Sequence, residues 1–197
     1  MIGLVIAVAV GIVIGLARGG SFKTFAEAEL RGVPIVFIGV LLQLGSAFAE
    51  HSGVHWLPLL LVLASFASVF AFAALNFILP GMTLIALGAL CNLVVISANG
   101  GMPVSLDALQ RAGLGNPFTG PGANALKGAH HALTDSSRLR FLADVMPITV
   151  TANVVSIGDI IIWAGLLLLV QQLMIGLRGK RRRGAGTPGV SARPGSG

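Results

Sequence analysis

A chain of 197 residues in which 55% are hydrophobic and only 10% are charged cannot cover a water-soluble surface. Soluble domains carry about 25% charged residues. Here the mean hydropathy is +0.90, and the apolar residues are gathered into long blocks. Composition therefore excludes a water-soluble globular domain and describes a single-domain integral membrane protein. There is no tyrosine, so an aromatic belt would rest on Trp56, Trp163 and the phenylalanines.

Five blocks are long or apolar enough to span a bilayer: about 1–17, 33–49, 57–78, 82–98 and 157–177. A spanning helix needs ~20 apolar residues, with ~17 as the lower limit. The first two blocks stand at that limit, and the third and fifth are the clearest. The blocks lack the alternation of barrel strands, so the expected fold is an all-α bundle of about five transmembrane helices over residues 1–177. No basic segment precedes the first block, whereas Arg18 and Lys23 follow it. That order suits a retained helix rather than a cleaved signal peptide.

Residues 18–32 read RGGSFKTFAEAELRG. Gly19 and Gly20 end the first helix, and Thr24 and Glu27 have the spacing of a capping box. Phe22, Phe25 and Leu30 suit either a short helix lying on the membrane surface or a partly ordered loop. Gly11 and Gly15 form a GxxxG face on the first helix, fit for a close helix contact inside the bundle or between protomers. Cys91 lies within an apolar block and reads as a small buried packing residue.

Residues 99–154 form the one large polar insert. A structureless loop of this length is unusual in a compact protein, and short helices are expected near 105–112 and 130–143. Residues 178–197 are basic and then rich in Gly, Pro and Ser, which predicts a disordered tail. Five of the 13 basic residues cluster there, at Arg178, Lys180, Arg181, Arg182 and Arg183. Beside a membrane helix, such a cluster reads as a cytoplasmic anchor for anionic lipid headgroups. Nucleic-acid binding is set aside, because no folded basic surface accompanies it.

Charge orients the bundle. With the carboxyl terminus inside, that side holds Arg18, Lys23, Arg31, the five-residue cluster and Arg193, and the other side holds Arg111, Lys127, Arg138 and Arg140. The positive-inside rule favours an outer amino terminus and a cytoplasmic carboxyl terminus in a bacterial inner membrane, with 99–154 as an outer loop.

Six residues form a candidate polar cluster at the outer mouth: Asn92, Asn99, Gly100, Gly101, Asp144 and Asp159. Asp159 stands about one turn into the last helix, where a carboxylate normally faces the bundle or a wet cavity. It reads equally as a helix-start carboxylate favoured by the helix dipole, with Ser156 as N-cap. Asn92 and Asn99 are seven residues apart and share a helix face. Asp159 is expected between the two amides in depth, so that all three face one another. Gly100 and Gly101 permit a sharp turn above them, and Asp144 could complete an acidic pair with Asp159. The group is either a clasp holding the loop on the bundle or the floor of a ligand pocket. His51, His55, His130 and His131 all fall on the outer side, with Glu50 beside His51, but no metal-binding motif is present. No cofactor, metal site or catalytic residue is expected.

The segments NLVVISANGGMPVS, LADVMP and SIGDIIIWAGLLLLVQ, together with the amino-terminal RGGS, resemble the bacterial membrane-protein family known as domain of unknown function 5317. The specific parts are Asn99-Gly100-Gly101-Met102-Pro103 and the Ser156–Asp159 helix start, and the layout extends over most of residues 1–177. The resemblance implies a class of protein and no chemistry. GALCNLVVIS and VSIGDIIIWAG are also similar in placement to the two motifs of lipoprotein signal peptidases. There Asp159 would match the second catalytic aspartate and Asn92 the asparagine of the first motif. The first aspartate would fall at Val95, so a two-carboxylate mechanism would need Asp144 or Asp107 to move in. The leading expectation is a non-enzymatic subunit or scaffold of a membrane complex, in contact with the lipid bilayer and other membrane proteins. A small transporter or ligand-binding protein and a membrane aspartyl hydrolase are the rivals.

Overall fold

The computed structural model describes residues 2–49, 54–116 and 129–176. Glu50, His51, Lys127 and the basic tail from Arg178 to Arg193 lie outside them. The protein is largely α-helical. Among the described residues five apolar helices alternate in direction: α1 (Ile2–Ala17), α3 (Val33–Ala49), α4 (Leu57–Leu75), α5 (Met82–Asn99) and α7 (Ile157–Ile175). Among the described residues α4, α5 and α7 are long and apolar enough to cross a membrane, and α1 and α3 are shorter apolar helices of 16 and 17 residues. A short helix, α2 (Phe22–Ala26), follows α1. The fourth block ends one residue later than expected. The third ends three residues earlier, where Asn76 turns the chain.

The helices pack in the order α1, α7, α5, α4, α3, so α5 and α7 form the centre of a row. Their antiparallel crossing is close because glycines oppose one another. A Cβ added at Gly88 would meet the Gly158 carbonyl, and one at Gly165 would meet the Gly81 carbonyl. Gly11 and Gly15 of α1 are buried against Val170 and Met174 of α7, so the GxxxG face is used inside the bundle. Core side chains from α4, α5 and α7, among them Phe72, Met82, Ile85, Leu169 and Leu173, form one cluster. Large apolar side chains such as Phe37, Leu41 and Phe48 of α3 and Val5 and Val13 of α1 remain exposed on the two edges of the row. Cys91 is half-buried rather than fully buried.

Asn76, at the end of α4, holds the connection before α3. It accepts from Arg31 N and donates to Arg31 O and Phe72 O, each at 2.8 Å. The short helix α2 is present, but Thr24 and Glu27 do not cap it. Ser21 is its N-cap, accepting from Thr24 N at 3.1 Å, and Glu27 stands at its C-terminal end. The serine lies directly after the Gly19–Gly20 break and reaches the first orphan amides before Thr24 can.

The segment between α5 and α7 departs from the all-α expectation. Among its described residues it carries α6 (Leu106–Arg111) within the expected 105–112 window, and four short strands: β1 (Met102–Val104), β2 (His130–Ala132), β3 (Met146–Ile148) and β4 (Asn153–Val155). Strand β1 pairs in parallel with β2, and β3 pairs antiparallel with β4. The helix expected over 130–143 is absent. A strand and a 3-10 turn at Arg140–Leu142 take its place. Met102 N donates to Ala129 O and Leu133 N to Val104 O, so pairing with the extended exit from α5 supplies the backbone partners a helix would have supplied.

Replacing Gly165 with Ala is expected to force α5 and α7 apart and cost roughly 1–3 kcal/mol, as overpacking does. Gly45 faces only Leu61 Cδ1, at 3.7 Å, so Gly45→Ala should be neutral or stabilise by about 0.5–1 kcal/mol. Thermal unfolding of both variants in one detergent checks the pair, and equal midpoints would contradict the close crossing.

Candidate functional site

The glycine-lined crossing lets a polar group form between α5 and the start of α7. Asn92 is buried on α5, opposite Gly158, whose missing side chain makes room for the amide. Asn92 Nδ2 donates to Asp159 Oδ1 at 2.8 Å, and Asn92 Oδ1 accepts from Ser156 Oγ at 3.0 Å. Ser156 and Asp159 form a reciprocal capping box: Asp159 N donates to Ser156 Oγ and Ser156 N donates to Asp159 Oδ2, both at 3.1 Å. The carboxyl thus accepts from an amide and a backbone N–H at a helix amino terminus, where the dipole favours negative charge.

Asn99 does not join this group. It lies about 10 Å further along α5, beyond the start of α7, and closes a second clasp. Its Nδ2 donates to Val95 O at 2.8 Å and to Arg138 O at 2.9 Å, while its Oδ1 accepts from Arg138 N at 2.8 Å. The expectation that Asn92, Asn99 and Asp159 face one another is therefore correct for one pair only. Gly100 ends α5 with φ 66°, and Gly101 packs beside the His131 ring.

Asp144 is brought to the same end. Its N donates to Pro103 O at 3.0 Å and its O accepts from Ser105 N at 2.9 Å, in a bridge between Val104 and Asp144. Its side chain is buried, and Oδ1 has no partner among the described groups. Burial pushes this carboxyl well above the usual value, and the negative charge of Asp159 adds to the rise. Burial lowers His130; Asp159 opposes that shift and His131 reinforces it. The acidic pair exists as electrostatic neighbours rather than as hydrogen-bonded partners. No group of three His, Cys, Asp or Glu among the described residues is placed to hold a metal. His51 and Glu50 lie outside those residues.

Sequence reasoning passed over Ser156 as a partner of Asn92, His130 and His131 as neighbours of the group, and Asn76. A usable signal was present: Gly81 and Gly88 are seven residues apart, as are Gly158 and Gly165. That repeat marks one close-contact face on each helix.

Long apolar helices and a buried polar seam between two of them define a multi-span membrane protein. The chain belongs to the family of unknown function DUF5317, whose model matches residues 27–171. It is similar to an uncharacterised protein of Thermotoga maritima, 30% identical over 153 residues, which is 76% of this chain and 79% of that one. No solved structure matches the chain. Nothing in these comparisons carries the likeness to lipoprotein signal peptidases. The position of their first aspartate is Val95, fully buried against Val62 and Met102.

The folded protein holds the Asp144 proton more tightly than the unfolded chain does. That contribution to stability is fully present below the ordinary value of 3.8 and is lost as pH rises through the folded value. Asp144→Asn should therefore raise the unfolding midpoint by a few degrees at pH 8, with the gain shrinking toward pH 4. Melting curves across that range check it; a gain independent of pH would point to packing instead.

Proposed function

We propose that this protein is a non-enzymatic subunit or scaffold of a membrane complex in the bacterial cytoplasmic membrane. It crosses the bilayer five times, with its amino terminus outside, its carboxyl terminus in the cytoplasm and the 99–154 segment as an ordered outer loop. The observation that carries the reading is the use of the polar side chains. Asn92 and Asp159 spend their hydrogen bonds on one another and on Ser156, and Asn99 spends its own on Val95 O and the Arg138 backbone. They hold the protein together instead of converging on a reacting group. The anionic lipid headgroups of the inner leaflet and neighbouring membrane proteins are its partners, the former at the basic tail from Arg178 to Arg183.

The five spans are supported by alternating helix directions and by nine positive residues on one side against four on the other. Reporter fusions at residues 120 and 190 should report opposite sides of the membrane; the same side for both would remove the proposed topology. Asp159→Asn tests the role of the seam. The amide keeps an acceptor for Asn92 but loses the charge at the helix amino terminus, so a loss of about 1 kcal/mol is expected. A variant of unchanged stability that no longer complements loss of the gene would assign Asp159 to a site and overturn the scaffold reading. Native extraction in mild detergent should yield a stoichiometric complex with other membrane proteins.

A further inference from the structure

The segment after β2 folds back over the end of α5 and borders an open cleft of about 630 Å³. Asn99, His131, Thr134, Ser136, Ser137 and Arg138 line it. The lining offers hydroxyls, an imidazole and a guanidinium, and no carboxylate. Asp135 lies in the same segment, but its charge is paired with Arg140 at 3.1 Å. Arg111 has Asp107 as its partner at 3.0 Å, whereas the Arg138 guanidinium has no hydrogen-bond or ionic partner among the described residues. The Arg138 backbone is held on both sides by Asn99, so a fixed base carries an unspent cationic fork. Thr134 Oγ1 lies 2.9 Å from Ser136 Oγ and 3.3 Å from Ser137 Oγ, which gathers three hydroxyls in one place. His131 Nδ1 contacts Ala132 O at 3.1 Å, and its Nε2 is buried without a partner among the described residues.

We propose that this cleft is a binding site for a phosphate-type oxyanion. Arg138 supplies the charge and paired N–H donors, and Ser136 and Ser137 supply hydroxyl donors. A guanidinium with clustered hydroxyls matches phosphate geometry better than it matches a cation or an apolar ligand. The oxyanion can come from a soluble phosphate or from a phospholipid headgroup, because the cleft sits at the end of α5 beside exposed Leu139 and Phe141. The site goes beyond the scaffold reading and does not depend on it.

The test uses the full chain as wild type, Arg138→Gln and Arg111→Gln. One arm titrates inorganic phosphate into phosphate-free detergent solution by calorimetry. The other counts phosphatidylglycerol molecules retained on the protein by native mass spectrometry. Arg138→Gln should weaken binding at least tenfold in one arm, while Arg111→Gln, which removes an equal charge, should leave it within twofold. Response to phosphate identifies a soluble ligand, and response confined to the lipid arm identifies a headgroup. Absence of wild-type binding in both arms, or equal loss in the two variants, overturns the proposal. Should Arg138→Gln fail to fold, Ser136→Ala is read by the same criteria.

Discussion

A carboxyl at the point where a helix enters hydrocarbon must find donors, and the packing of the central helices is arranged around that need. Asp159 obtains one donor from its own helix start, through Ser156 N, and one from a neighbouring helix, through Asn92. The second is possible only because Gly158 leaves room for the amide and the α5–α7 crossing is close. Without a hydrophobic force between helices in lipid, such contacts depend on small residues and interhelical hydrogen bonds. The same crossing therefore serves both purposes: it brings backbones together and lets the polar groups satisfy one another. Helices α1 and α4 pack on either side of this pair, and α3 packs on α4.

The same economy appears at the two ends of the bundle. Asn76, after α4, and Asn99, at the end of α5, each bond a carbonyl one turn back in the helix and both backbone groups of a distant arginine, Arg31 and Arg138. An asparagine amide offers an acceptor and two donors, which is what a residue needs to end its own helix and grip an incoming loop. The connections so gripped then bury apolar residues. Val104, Ala108, Leu109, Ala112 and Val154 form a separate small core in the 100–155 segment. Full burial of a Val or Leu contributes roughly 1.5–3 kcal/mol, which favours the folded form of this layer.

The five helical blocks were legible because long apolar runs without strand alternation favour helix, and their ends were marked by Gly, Pro and Asn. The reciprocal capping box emerged only in the structure, but Ser156 as N-cap and Asp159 as a carboxylate in the first turn were legible from local spacing, as was the turn at Gly100. The strands were not. Three-residue strands such as His130–Ala132 have no periodicity of their own, and their pairing with Met102–Val104 spans 28 residues of sequence. A local reading of residues 130–143 saw helix-compatible side chains and could not weigh the competing long-range partner. Asn99 was misplaced for a related reason. Sharing a face with Asn92 fixes direction around the helix, but the neighbour at each depth depends on where α7 begins.

Asp144 resists the account that suffices for the rest. A buried carboxyl with an oxygen unpaired among the described residues, in the field of another acid, works against folding at neutral pH. Its backbone N–H and C=O already join β1 to the 140s, so any residue could supply those bonds. The side chain is therefore not needed for the bridge, and an amide or an apolar group of similar size would pack there at less cost. His130 stands in the same field with the opposite preference, favoured neutral by burial and drawn toward charge by Asp159. The loop layer thus holds two groups that gain stability at opposite ends of the pH scale, both tied to the one carboxyl on which the α5–α7 seam is built. A proton gained by either changes the field at Asp159, and Asp159 in turn links the loop to the central helices.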